Sequence, residues 1–165
     1  MADKAIASLS ASVFLDELRS SMSGKYNYEP AVTIASSSGE GWIFTEQAVD
    51  HNASTDLLGT GDNYLGGTVG AAATGDKIMW IAIKNTSSTS TEGVGICFDA
   101  GTAAYDDEDT LIIGPGELWM GKVPNSTIAK LHARTCTLDG TYGYPTAQGT
   151  ASITCLVAAI IKNVG

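Results

Sequence analysis

The sequence predicts an all-β protein: an antiparallel β-sandwich, jelly-roll-like, with an N-terminal helix or arm. Three observations lead there. Of 165 residues, 19 are Gly, 18 Thr and 15 Ser, and charged residues are only 16% while hydrophobic ones reach 44%. Beyond residue 30, short apolar runs alternate with turn residues and no second helical period appears. Strands separated by turns, with no helices between them, pack as sandwiches or barrels. The length suits one domain with an arm, divided as a helical arm over 1–30 and a β-sandwich over 31–165.

The same composition excludes other classes. Disorder requires low hydrophobicity with high charge density, and coiled coils are rich in Ala, Glu, Lys, Leu and Arg. A net charge of −9 argues against counterion-driven nucleic-acid binding. The charge is unevenly spread. Residues 31–126 carry thirteen acidic and three basic groups, a balance of −10, whereas residues 127–165 carry one and three, a balance of +2. Such acidity serves solubility, or it marks complementary faces that meet in an assembly.

Taken in order, the first element is a helix over 4–22. Ile6, Leu9 and Val13 fall at helical spacing, and Phe14, Leu18 and Met22 continue on a shifted stripe. Asp3 can cap its start and Gly24 its end. Such a helix packs on its own domain, or it docks as an arm on a neighbouring subunit. Ile6, Leu9, Val13, Phe14 and Leu18 are therefore candidate interface residues.

Next, Ala31–Ala35 and Trp42–Thr45 flank a Ser/Gly turn and read as a hairpin. Residues 56–76 are Gly-rich and read as turns. Six strands follow, over Lys77–Lys84, Val94–Phe98, Thr110–Ile113, Glu117–Val123, Ile128–Thr137 and Ser152–Lys162. In Ile128–Thr137 one parity holds Ala129, Leu131 and Ala133. The other holds Lys130, His132 and Arg134, an expected basic outer stripe and a second interface candidate. Ile78–Ile83 and Ile153–Ile161 are apolar on both parities, so each needs cover beyond a single sandwich interior. That is the strongest argument in the sequence for assembly.

Sites of chemistry are scarce. Cys97, Cys136 and Cys155 lie in strand-like runs without C-x-x-C or zinc spacing, and they read as buried free thiols of a reducing compartment. His51 and His132 have no companion at metal-ligand spacing. No nucleophile elbow, phosphate loop or dinucleotide fingerprint occurs. The expectation is a protein that is not an enzyme, with no cofactor and no metal. The run Asp106-Asp107-Glu108-Asp109 lacks the alternating spacing of a calcium loop and reads as a solvated acidic loop. No apolar run approaches the ~18 residues of a membrane helix. Tyr142 and Tyr144 lie in a loop and are the best exposed aromatic candidates for partner contact.

The second half resembles small β-sandwich virion proteins of tailed bacteriophages, of the head-decoration (cement) type. The resemblance rests on the order of segments Ile83-Lys84-Asn85-Thr86, Val94–Thr102, Ile112-Ile113-Gly114-Pro115-Gly116-Glu117, Glu117–Gly121, Thr127–Ala133 and Ile153–Ala159. These are backbone-shape motifs covering about half the chain. The resemblance implies a component of the capsid surface, assembled in the host cytoplasm. It would bind the major capsid protein as a homo-oligomer, with a trimer favoured, and would stabilise the assembled shell. The alternative is a receptor- or glycan-binding module of a tail fibre, using Tyr142, Tyr144 and a tryptophan as a stacking surface.

Overall fold

A period of two runs through this chain from near its start, and strands follow it. The computed structural model describes residues 7–15, 20–28, 40–59, 72–98, 110–123, 126–141 and 143–162. In chain order the strands are β1 (Ala7–Leu15), β2 (Ser20–Tyr28), β3 (Glu40–Val49), β4 (Thr55–Asp56), β5 (Lys77–Asn85) and β6 (Glu92–Cys97). They continue with β7 (Leu111–Ile113), β8 (Leu118–Gly121), β9 (His132–Leu138), β10 (Pro145–Gln148) and β11 (Ile153–Lys162). Among the described residues, the one helical element is a 3-10 turn at Ile128–Lys130. The expected strand Ala31–Ala35 and the acidic run 106–109 lie outside the described residues.

The strands build two antiparallel sheets around one core. The first has the order β3-β11-β5-β8; the second has β10-β9-β6-β7, with β4 also pairing β9. The chain crosses repeatedly between them, so consecutive strands such as β5 and β6 fall on opposite sheets, while β6–β7 and β9–β10 pair within the second. Ile43, Ile81, Ile83 and Val157 of the first sheet and Val94, Ile96, Ile113 and Ala133 of the second are buried in a single apolar cluster. All-β sandwich architecture is what the alternating pattern dictates: each strand turns one parity inward and the opposite parity outward.

The helix expected over 4–22 is instead a hairpin. β1 pairs β2 antiparallel, with Leu9 opposite Tyr26, Ala11 opposite Gly24 and Val13 opposite Met22. The residues between them pair just as consistently: Ser8 with Asn27, Ser10 with Lys25 and Ser12 with Ser23. Leu9 and Val13 suit a helix because they are four apart, but they suit a strand equally because four is even. Ser8, Ser10 and Ser12 decide the matter, since they alternate with apolar residues and would spoil a helical stripe. The hairpin is a sheet of its own, unpaired to the other two.

Two turns show why their residues were needed. In Gly114-Pro115-Gly116-Glu117, the Glu117 N–H donates to the Gly114 carbonyl at 3.1 Å. Gly116 has φ +73°, as a glycine third in such a turn should. The Glu117 carboxylate then accepts from the Gly114 N–H at 2.7 Å, closing the turn from the other side. The Asp139–Gly149 stretch, which falls between two of the strands read from sequence, holds β10 beside β9, with Pro145 opposite Leu138 and Gln148 opposite Cys136. Proline is tolerated there because β10 is an edge strand.

One buried side chain ties the two sheets together. Asn85, at the end of β5, is fully buried. Its amide donates to the Glu92 carbonyl of β6 at 2.9 Å and to the Ile113 carbonyl of β7 at 3.3 Å. Its side-chain oxygen accepts from the Ser87 N–H at 2.9 Å. Replacing it strands two buried carbonyls, each unmet group costing about 1–3 kcal/mol. Asn85→Ala should therefore lose at least about 3 kcal/mol by urea unfolding. Asn85→Asp, which turns the two donated bonds into repulsions, should lose more; an unchanged midpoint for either would contradict the role.

Candidate functional site

The outer face of the β3-β11-β5-β8 sheet is the feature that interior packing does not use. Strand register sets which residues share it. Phe44, Ala158, Ala82 and Met120 form one row across the four strands, and Glu46, Leu156, Lys84 and Leu118 form the next. A third row places Trp42, Ile160 and Trp80 on the same parity. Ile160 is buried, whereas Phe44 is 49% and Leu118 51% exposed. Trp80, Ala82, Met120, Leu156 and Ala158 are half-buried. Sandwich sheets ordinarily turn polar residues outward. Here charge is confined to Glu46 and Lys84 in one row and to the strand ends, leaving the middle apolar.

This accounts for the two strands that read as apolar on both parities. Ile78–Ile83 and Ile153–Ile161 are the central pair, β5 and β11, and only one of their faces meets the core. The flanking contributions of Phe44, Met120 and Leu118 were not foreseen. Their signal was the parity of Trp42–Thr45 and Glu117–Val123, where an aromatic or aliphatic residue falls on each side of the strand.

A second, polar constellation lies along β9. His132 Nδ1 approaches Asp56 Oδ1 of β4 at 2.9 Å. Arg134 donates to two carbonyls of the preceding turn, His51 at 3.2 Å and Asn52 at 3.1 Å, and the Gln148 amide also donates to the His51 carbonyl. His51 Nδ1 is buried 3.4 Å from Asp50 Oδ1, without a hydrogen bond. The cluster fastens residues 50–57 to the second sheet, a task continued by backbone bonds from Thr135 to Asp50 and from Leu57 to Leu131.

The expected basic stripe is thereby corrected. Lys130 sits on the 3-10 turn and not on the strand, which begins at His132. His132 and Arg134 are half-covered and engaged by the 50–56 segment instead of standing free in solvent. The parity holds, with Leu131 and Ala133 buried and His132 and Arg134 turned outward, while Lys130 stands exposed on the turn before the strand. Of the N-terminal candidates, Leu9 and Val13 share one parity of β1 and Phe14 has the other. Ile6 and Leu18 lie outside the described residues, as does Tyr142. Tyr144 precedes β10 and is 54% exposed.

Neither constellation is arranged as a metal site: among the described residues no three His, Cys, Asp or Glu side chains are grouped to hold an ion. A cleft of about 260 Å³ opens beside Thr135, Cys136, Thr137 and Gly149. Its threonines are already engaged, Thr135 donating to the Ala151 carbonyl at 3.0 Å and Thr137 to the Gln148 carbonyl at 3.2 Å. Burial pushes the Cys136 thiol up to about 11 and that of Cys155 to about 12, from an ordinary 9.0. Thiols held neutral this way are poor nucleophiles. No protein-family model matches the chain, and no curated protein or solved structure shows significant similarity to it.

Two outcomes follow from these contacts. Arg134→Met keeps the aliphatic stem but removes both donated bonds, so hydrogen exchange over residues 50–57 should accelerate and stability should fall by about 1–2 kcal/mol. Unchanged exchange there would show that Arg134 does not hold the segment. The thiols give a pH dependence of known sign. Below pH 9 they are neutral in both states and their contribution is intact. Above it the unfolded chain ionises first, so stability declines as pH rises through 9 toward 11–12. Urea midpoints between pH 8 and 11 should fall, and Cys136→Ala with Cys155→Ala should flatten that fall.

Proposed function

We propose that the chain is a structural subunit that works by assembly, a decoration protein that oligomerises and stabilises an assembled phage shell. The observation that supports this most is the apolar outer face of the β3-β11-β5-β8 sheet. Apolar patches of a few hundred Å² rimmed by polar groups mark interaction surfaces. This one is built on regular strands, which present a rigid surface that loses little entropy on docking. The segment pattern of β5 to β9, and the turn at Gly114–Glu117, supply the resemblance to head-decoration proteins. In that role the chain binds the major capsid protein, as a homo-oligomer with a trimer favoured. Any binding confined to the assembled state stabilises that state by mass action.

The test has two parts. By light scattering the purified chain should run as a defined oligomer, and Phe44→Asp or Leu118→Asp should dissociate it while leaving the far-ultraviolet circular dichroism unchanged. In addition, shells lacking the chain should rupture at lower temperature, with added chain restoring them. A monomeric wild-type chain that leaves shells unaltered would refute the proposal.

A further inference from the structure

We infer that the outer face of the β3-β11-β5-β8 sheet packs on the same face of a second copy, about a two-fold axis running along β11. The inference rests on the assembly reading above and names what occupies the face. Strand register carries it. In one row Glu46, Leu156, Lys84 and Leu118 follow one another across the sheet, and in the next Phe44, Ala158, Ala82 and Met120 do. Glu46 and Lys84 are both exposed. The strand between them, β11, holds their backbones about 10 Å apart. Each row thus sets opposites on the two sides of β11: an acid and a base in one, a large and a small residue in the other. Such a face is complementary to itself, as an isologous contact requires.

Rotation about β11 lays each β3 over the other copy's β5. Glu46 then faces Lys84 of the partner subunit, and Phe44, 49% exposed, faces the partner's Ala82. Leu156 and Ala158 meet their own counterparts on the axis, and Trp80 meets the partner's Trp42. Other axes fail. One midway between β11 and β5 sets both charges over leucines and Phe44 over the partner's Met120. One along β3 or β5 sets Glu46 or Lys84 over its own counterpart, and one across the strands brings no Lys84 over Glu46. Aligned sheets pack about 10 Å apart at about 30°, which keeps residues one strand from the axis within reach of each other. Three overlapping strands of nine or ten residues give a projected face of about 400 Å² per copy. That is the small end of specific interfaces, where complementarity decides more than area. Because β3 is an edge strand, the ion pairs lie near the rim and fix register more than affinity. The contact gives an even number of copies, so a trimer formed through other surfaces pairs into a hexamer.

Charge exchange in full-length chains tests the pairing. Glu46→Lys and Lys84→Glu each set like charges face to face, so each should raise the dissociation constant, measured by sedimentation, about ten-fold or more. The two substitutions combined in one chain should restore association, and a mixture of the two single variants should associate at concentrations where neither does alone. Loss of fold would produce no such rescue. Position 158 supplies an independent check, since it lies on the axis. With a bismaleimide of about 10 Å span, Ala158→Cys should give a covalent dimer; the three native cysteines are buried and do not compete. Single variants that associate as the wild type does would overturn the pairing. So would failure of both rescues, absence of the cross-link, or a wild-type oligomer with an odd number of copies. In each of these cases a persistent wild-type oligomer would leave the assembly reading standing, whereas a monomeric wild type would remove both.

Discussion

A single buried amide holds this sandwich in register. Asn85 ends the central strand of one sheet and hydrogen-bonds the backbones of β6 and β7 in the other. Two facing sheets held by apolar contacts alone could slide, because hydrophobic burial has no direction. An amide whose two donors are both engaged across the interface, with its oxygen held locally by the Ser87 N–H, admits one alignment. Around it the backbone adds links within its own sheet: the Asn85 N–H reaches the Glu117 carbonyl and the Thr86 N–H reaches that of Thr154. β5 is therefore tied at one end to β6, β7, β11 and the turn before β8. Everything on the outer face, including the rows containing Lys84 and Ala82, inherits its position from that anchor.

The fold class was legible because alternation is a local property. A strand displays its period in five or six residues, and β5, β7, β8 and β11 each coincide closely with a run read from sequence. What could not be read has physical causes. Asn85 sat in a Ser/Thr-rich stretch, where a polar residue ordinarily meets water; burial depends on distant carbonyls that no local window contains. The hairpin was concealed by an arithmetic coincidence, since a spacing of four serves both a helix face and a strand face. β10 was concealed by Pro145 and Gly149, residues that mark turns but are also permitted at an edge.

The candidate surface was half legible. Apolar residues on both parities of β5 and β11 announce a second buried or buriable face, and this is a property of each strand alone. That the two strands are adjacent, and that Phe44 and Met120 extend their outer rows, is a matter of pairing between residues distant in the sequence, as Ala82 with Met120 and Ala158 with Phe44. The basic stripe was legible in its parity and not in its partners. Lys130 falls on a 3-10 turn before the strand, and the groups that engage His132 and Arg134 come from residues 50–56, far upstream.

The two constellations differ in what they leave unmet. Along β9, His132 and Arg134 each find a nearby carboxylate or carbonyl, so these side chains are consumed in fixing the 50–57 segment and have little free energy to offer a ligand. On the outer sheet the balance is reversed. Apolar side chains there gain roughly 25 cal/mol for each Å² taken from water, and no competing desolvation of charge stands in the middle of the face. Size alone does not decide, since exposed apolar area is normal on proteins. Distribution does. Four contiguous strands place their small residues, Ala82 and Ala158, at the centre and larger Phe44 and Met120 at the margins. That contour is a shallow dip confined to one row, since Ile160 and Trp80 on one side and Leu156 and Lys84 on the other are large. A fully solvated sheet face would need no such apolar middle row, whereas a face that is covered on docking uses it.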